Sequence, residues 1–189
     1  DKEAFDISLL KWTQKSNLGE NFNSGPEEVL TETETVLASP KTVVLMPKQD
    51  KLIRIIVNDA EESKKDYSYR LIINQLPNKE VGQQKNTVNL LFKISLPIFV
   101  YSDAIKTFEK MKVEHKVVNE NGKKFLLLTN NDTQHVQIQD LTWGKFQKSV
   151  NQYILPGVTN KIELPNDFKV DEKNSLSIGS DKGTLKIEK

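Results

Sequence analysis

Two basic residues, Arg70 and Lys93, stand inside two hydrophobic stretches, 67–77 and 87–100, separated by the polar loop Asn78 to Asn86. If the loop folds back about Val81-Gly82, the stretches form an antiparallel pair and Arg70 faces Lys93. Like charges directly opposite each other cost stability, and a bound anion resolves the conflict. A carboxylate accepts a bidentate contact from a guanidinium and a further charge-assisted bond from an ammonium. Alternatively the register differs by one residue, which moves the pair to opposite faces, or both side chains simply reach solvent. Spacing alone does not choose between these readings.

Other chemistries are thinly supplied. Asp59, Glu61, Glu62 and Asp66 form an acidic run broken by Lys64 and Lys65, which reads as a solvated loop because the ligand spacing and glycine turn of a calcium loop are missing. The two histidines, His115 and His135, lie on separate strand candidates, and there is no cysteine, so no zinc spacing arises. No metal or cofactor is expected. Ser, His and Asp are present without a Gly-x-Ser-x-Gly elbow, and no phosphate-cradling or dinucleotide glycine loop occurs, so an enzyme is not expected. Trp12 and Trp143 read as packing rather than sugar stacking. A net charge of +1 provides no general field for nucleic acid or an anionic membrane. No apolar run approaches the roughly 18 residues of a membrane span. The first residues run straight into a strand pattern without the basic and apolar succession of a signal peptide.

The elements that must position these groups are strands. Short runs of Val, Ile, Leu, Tyr and Phe bounded by Asn, Gly, Pro and Lys recur throughout, and helical periodicity is nearly absent. The first half offers 4–13, 36–45, 52–57, 67–76 and 87–101, with 14–35 as a long loop or edge segment. The second half offers 113–118, 124–130, 135–143, 153–155, 160–164, 175–179 and 184–187, with hairpin turns expected at Asn119 to Gly122 and Ser180 to Gly183. Seven short strands are what an immunoglobulin-type sandwich requires. The second half fits a complete one; the first, with about five, leaves core uncovered unless further strands come from elsewhere. The chain is therefore read as all-β, with two immunoglobulin-like sandwiches at 1–101 and 102–189.

The later stretch carries a long alternating apolar row, Val88, Leu90, Phe92, Ile94, Leu96 and Ile98. Its last members suit the core of their own domain. The leading end leaves a polar loop, and an exposed apolar strand is an aggregation hazard unless it exists to pair with another chain.

A family resemblance runs through these same residues. Ser39-Pro40, then Leu45-Met46-Pro47-Lys48-Gln49, Leu52-Ile53-Arg54-Ile55, Tyr69-Arg70-Leu71, Gln75-Leu76-Pro77 and Ile94-Ser95-Leu96-Pro97-Ile98-Phe99 resemble, in order and spacing, the first domain of periplasmic pilus-assembly chaperones of the PapD-like superfamily. Lys11-Trp12-Thr13-Gln14 and the Tyr-Arg-Leu word look like the archaic branch of the chaperone-usher pathway. Leu126 to Asn131 and Tyr153-Ile-Leu-Pro-Gly157 are similar to the second domain.

The resemblance implies an L-shaped pair of domains, the first lacking its N-terminal strands here. It also implies a chaperone that clamps the C-terminal carboxylate of a pilus subunit and lends it a strand before delivery to an outer-membrane usher. Carried over, Arg70 and Lys93 become the carboxylate anchors, and Val88, Leu90, Phe92 and Ile94 the donor side chains. Members outside the archaic branch place a lysine where this chain has Ser95. Self-association through the donor strand is a further expectation. The competing reading is a cell-surface immunoglobulin-like adhesin or structural module, which would bury its last strand.

Overall fold

A computed structural model describes residues 2–19, 25–58, 66–77, 90–101, 105–170 and 175–187. It is an all-β molecule with two compact units. One comprises Asp1–Trp12, Leu30–Ser63 and Tyr67–Val100, the other Thr13–Val29, Lys64–Asp66 and Tyr101–Lys189.

Among the described residues, seven strands lie in the first half: β1 (Glu3–Lys15), β2 (Glu27–Thr31), β3 (Val36–Ser39), β4 (Thr42–Leu45), β5 (Arg54–Val57), β6 (Tyr67–Gln75) and β7 (Lys93–Val100). Two more are present than the apolar pattern suggests. β2 is a short, largely exposed strand within the polar stretch, where neither face is buried enough to demand apolar alternation. The expected run 36–45 is split at Ser39-Pro40, after which β3 pairs with β5 while β4 pairs with β1. The main sheet has the order β2-β1-β6-β7 with β4 on β1; the opposing sheet is β3-β5.

Period-two alternation sorts the side chains of the main sheet. Ile7 and Leu9 of β1 and Tyr69 and Leu71 of β6 point inward, against Val36 and Ala38 of β3 and Val43 of β4, with Ile98 and Val100 of β7 partly buried at the margin.

The second unit holds β8 (Val113–Glu120), β9 (Lys123–Asn130), β10 (Val136–Trp143), β11 (Phe146–Ile154), β12 (Thr159–Leu164), β13 (Leu176–Ser180) and β14 (Gly183–Ile187). They form a four-stranded sheet, β11-β10-β13-β14, and a three-stranded sheet, β12-β9-β8, the strand count of an immunoglobulin sandwich. Leu126, Leu128, Ile138, Leu141, Ile154, Leu164 and Ile178 are buried in its core. The expected turns are there: Asn121 and Gly122 have φ of 50° and 76° between the paired Glu120 and Lys123, as a two-residue primed turn demands. β11 is longer than its apolar residues suggest, because Gln147 to Ser149 lie exposed on an edge strand.

The two second-half words that carry the resemblance meet at Asn130. Pro156-Gly157 forms a turn closed by a Val158 N–H bond to Leu155 O at 3.1 Å, and Gly157, at φ 77°, donates its N–H to Asn130 O at 2.8 Å. The fully buried Asn130 amide donates to Gln134 O at 2.8 Å and to Ile154 O at 2.9 Å, and its Oδ1 accepts from Asp132 N at 2.9 Å. A buried polar group left unsatisfied costs about 1–3 kcal/mol. Asn130→Leu strands two carbonyls and one N–H, so it is expected to lower the unfolding free energy by at least that amount, measured by denaturant titration of the full chain.

Burial lowers the pKa of His135 below its ordinary 6.5; Lys182 acts in the same direction, while Asp66, whose Oδ2 lies 3.4 Å from Nδ1, opposes them. Because the folded value is depressed, the unfolded chain takes up the proton first. Stability from this group is complete above about pH 6.5 and declines as the pH falls through that value. His115 is lowered by burial too and adds in the same sense. His135→Gln should therefore flatten, without abolishing, the loss of thermal midpoint on acidification through this range.

Candidate functional site

β7 is an edge strand: among the described residues its ladder partner is β6 alone. The register of that ladder decides what the edge offers. Tyr67 pairs with Val100, Arg70 with Pro97, Ile72 with Ser95 and Asn74 with Lys93. This corrects the expected pairing of Arg70 with Lys93. The loop Asn78 to Asn86 lies outside the described residues, and the ladder is offset by four residues from a fold about Val81-Gly82. An even offset preserves the faces. Arg70 and Lys93 remain on one face, but four residues apart, about 13 Å along the strand. Ser95 is the diagonal neighbour of Arg70.

Gln75 donates its backbone N–H to Phe92 O at 2.9 Å, which makes Gln75 and Phe92 a hydrogen-bonded pair. Alternate pairs along an antiparallel ladder are hydrogen-bonded, so the backbone groups of Ile94, Leu96 and Ile98 point toward β6. Those of Lys93, Ser95, Pro97 and Phe99 point to the free edge. Pro97 is thus where a proline is tolerated in a sheet, with its missing N–H on the unpaired side.

Exposure falls steadily from the residues before β7 into the strand: Leu90 74%, Phe92 66%, Ile94 47% and Leu96 44%, with Ile98 partly buried against the core. The apolar face that β7 turns inward at its C-terminal end therefore runs out uncovered toward its N-terminal end. Val88 lies outside the described residues. Leu91, on the opposite face, is also exposed.

Arg70 is half-buried on β6. Its guanidinium carbon lies 3.8 Å from the ring centroid of Trp12, and Trp12 in turn packs against Phe99 with centroids 6.0 Å apart. A cation held over an aromatic ring in this way is worth about 0.5–2 kcal/mol and restrains the guanidinium over the indole. The sequence treats Trp12 as packing, which its burial supports; what it misses is that the packing partner is the cation. The ladder explains the meeting, since Leu10 pairs with Arg70 and Trp12 is two residues on along the same face.

The fold and this edge define a two-unit immunoglobulin-like protein with an apolar strand kept open beside a stacked cation. Residues 12–106 match the model of the pili and flagellar-assembly chaperones, PapD N-terminal domain, and the chain belongs to that family. No curated protein matches the chain in sequence.

Among solved structures, the chain is similar to one in the CsuC–CsuE chaperone–tip adhesion subunit pre-assembly complex from the archaic Csu pili of Acinetobacter baumannii. The identity is 19% and the TM-score 0.70, over 98% of this chain and 84% of that one. The E. coli chaperone DraB matches at 17% identity and TM-score 0.63, over 100% and 84% of the two chains. A structure of Salmonella enterica SafA pilin with the SafB chaperone matches at 13% and 0.59, over 98% and 82%. At these identities the likeness speaks for the fold, while the family match carries the assignment to pilus-assembly chaperones.

Because Leu90 and Phe92 project from the edge, they contribute little to the chain's own folding. Leu90→Ser and Phe92→Ser are each expected to change the unfolding free energy by less than about 0.5 kcal/mol, the range of an ordinary surface substitution. A clear loss of stability in either would place those side chains inside a core.

Proposed function

We propose that the chain is a periplasmic chaperone that takes up pilus subunits by lending them β7 and passes them to an outer-membrane usher. Family membership supports the assembly role. The observation that carries the mechanism is the exposed alternating row on an unpaired edge, since main-chain pairing gives affinity and alternate side chains give specificity when a strand is added to a sheet.

In this reading Leu90, Phe92 and Ile94, together with Val88, fill the open core of the subunit. Full burial of a large apolar side chain is worth about 1.5–3 kcal/mol. Three or four of them outweigh much of the cost of association, which runs from about 4 kcal/mol to more than 15. Lys93 and Ser95 give an incoming strand both N–H and C=O, whereas Pro97 gives C=O only. The added ladder thus weakens at the position opposite Arg70. A polypeptide ending there brings its terminal carboxylate within reach of the guanidinium, already oriented by Trp12, with the Ser95 hydroxyl as diagonal neighbour. Lys93 is the second cation of the same face, nearer the exposed end. The division into domains at 1–101 and 102–189 belongs to the same proposal, as does occupation of the edge by a second copy of the chain when no subunit is present. The adhesin alternative, which requires a buried last strand, loses support from the exposure of Leu90 and Phe92.

The test is co-expression with a pilus subunit followed by affinity purification. Arg70→Ala is expected to reduce the subunit recovered by at least about tenfold, the effect of one charge-assisted hydrogen bond, while circular dichroism shows the chaperone still folded. Undiminished recovery of subunit with folded Arg70→Ala would remove Arg70 from the mechanism.

A further inference from the structure

The regular β6–β7 ladder ends with Asn74 and Lys93, yet the exposed apolar row continues to Phe92 and Leu90. A three-residue network holds the first step beyond the ladder. Gln75 N–H donates to Phe92 O at 2.9 Å. The return bond, which in a regular hydrogen-bonded pair goes from Phe92 N–H to the backbone carbonyl opposite, goes instead to the Gln75 side chain, with Phe92 N to Oε1 at 3.1 Å. The other end of that amide is engaged as well: Gln75 Nε2 donates to Glu3 Oε2 at 2.8 Å, and the neighbouring Leu76 N–H donates to Ala4 O at 2.8 Å.

The chemistry of the groups gives the network a direction. An ionised carboxylate only accepts, so Glu3 takes the NH2 end of the Gln75 amide and leaves the carbonyl oxygen for Phe92 N–H. Glu3 is the first residue of β1, and β1 is held to β6 by the pairs Phe5–Gln75 and Asp6–Asn74. The exposed end of the strand is therefore tied, through one side-chain amide, to the paired interior of the sheet. Without the tie Phe92 keeps one bond to the sheet, and the entropic cost of ordering its backbone falls on the binding event instead.

We propose that Gln75, oriented by Glu3, is a positioning residue that holds Phe92 against the end of β6, so that the apolar row from Phe92 into β7 is presented before a client strand arrives. The proposal rests on the strand-lending reading above and adds a residue to it that touches no client.

The experiment has two arms on the intact chain. In the first, amide exchange is followed by NMR at Phe92 and, as internal control, at Ile94. Gln75→Met, which keeps length and removes both polar ends, is expected to speed exchange at Phe92 by about tenfold, the effect of one hydrogen bond. Ile94 should stay as in the parent. Glu3→Gln, which can still accept from Nε2, should retain most of the protection, whereas Glu3→Leu should lose it. In the second arm, calorimetry measures binding of a peptide of alternating valine and threonine with a free C-terminal carboxylate. Gln75→Met is expected to weaken binding by a similar factor, with Glu3→Gln close to the parent. Unchanged Phe92 exchange in Gln75→Met overturns the clamp even if the parent binds normally, and faster exchange with unaltered binding overturns its positioning role. A parent chain that binds neither this peptide nor a co-expressed pilus subunit overturns the strand-lending reading itself, whatever the exchange arm gives.

Discussion

The register of one antiparallel ladder governs what this molecule can do. With Gln75 opposite Phe92 and Arg70 opposite Pro97, every second residue of β7 spends its backbone groups on β6. The residues between them aim theirs at a free edge. The same parity places Ile94, Leu96, Ile98 and Val100 on the inward face and sets Lys93, Ser95, Pro97 and Phe99 on the face of Arg70 and Trp12. A slip of one residue would put the apolar row on the face of the stacked guanidinium and turn Pro97 toward the ladder, where its missing N–H would cost a bond. The hydrophobic core and the open edge are thus fixed by one choice.

Much of this was legible in the sequence because it depends on local alternation. The strands of the second unit and its turns at Asn119 to Gly122 and Ser180 to Gly183 follow from period-two patterning and from residues that tolerate positive φ. The exposed row was legible too, because its apolar run is longer than a strand of its own domain needs. Elements that depend on distant parts of the chain were not. β2 and most of β11 lie at edges, where one ladder partner and solvent leave no apolar signature. The offset between Arg70 and Lys93 depends on a loop whose length does not determine its fold. The Gln75 amide is an ordinary polar residue in the sequence, and only the arrival of Glu3 from β1 and Phe92 from β7 gives it a task. Gln75-Leu76-Pro77 stands among the words that carry the family resemblance, so the position was marked without its reason being visible.

The contrast between the two units follows from how their sheets are filled. In the second, a four-stranded and a three-stranded sheet enclose fully buried aliphatic side chains, and the buried Asn130 amide and Asp132 carboxylate are hydrogen-bonded. In the first, the main sheet faces a two-stranded one, and the inward face of β7 passes from partly buried to exposed along its length. A sheet face that is covered at one end and open at the other is an incomplete core with a definite shape, which a strand of matching alternation can complete.

An exposed apolar edge would ordinarily invite aggregation, and the chain's net charge of +1 supplies little repulsion. The local sequence limits the hazard in another way. Lys93 and Ser95, alternating with the apolar side chains, place a charge and a hydroxyl at the edge, and Pro97 denies a donor to any ladder that extends further inward. In the proposed mechanism an adventitious strand pairs over only a short stretch and finds a cation on one face, whereas a strand that ends near Arg70 with its own carboxylate meets a complementary charge where the ladder gives out. Selection between the two then rests on where a polypeptide ends as well as on how hydrophobic it is. That would allow a strongly apolar surface to remain open without capturing every extended segment it meets.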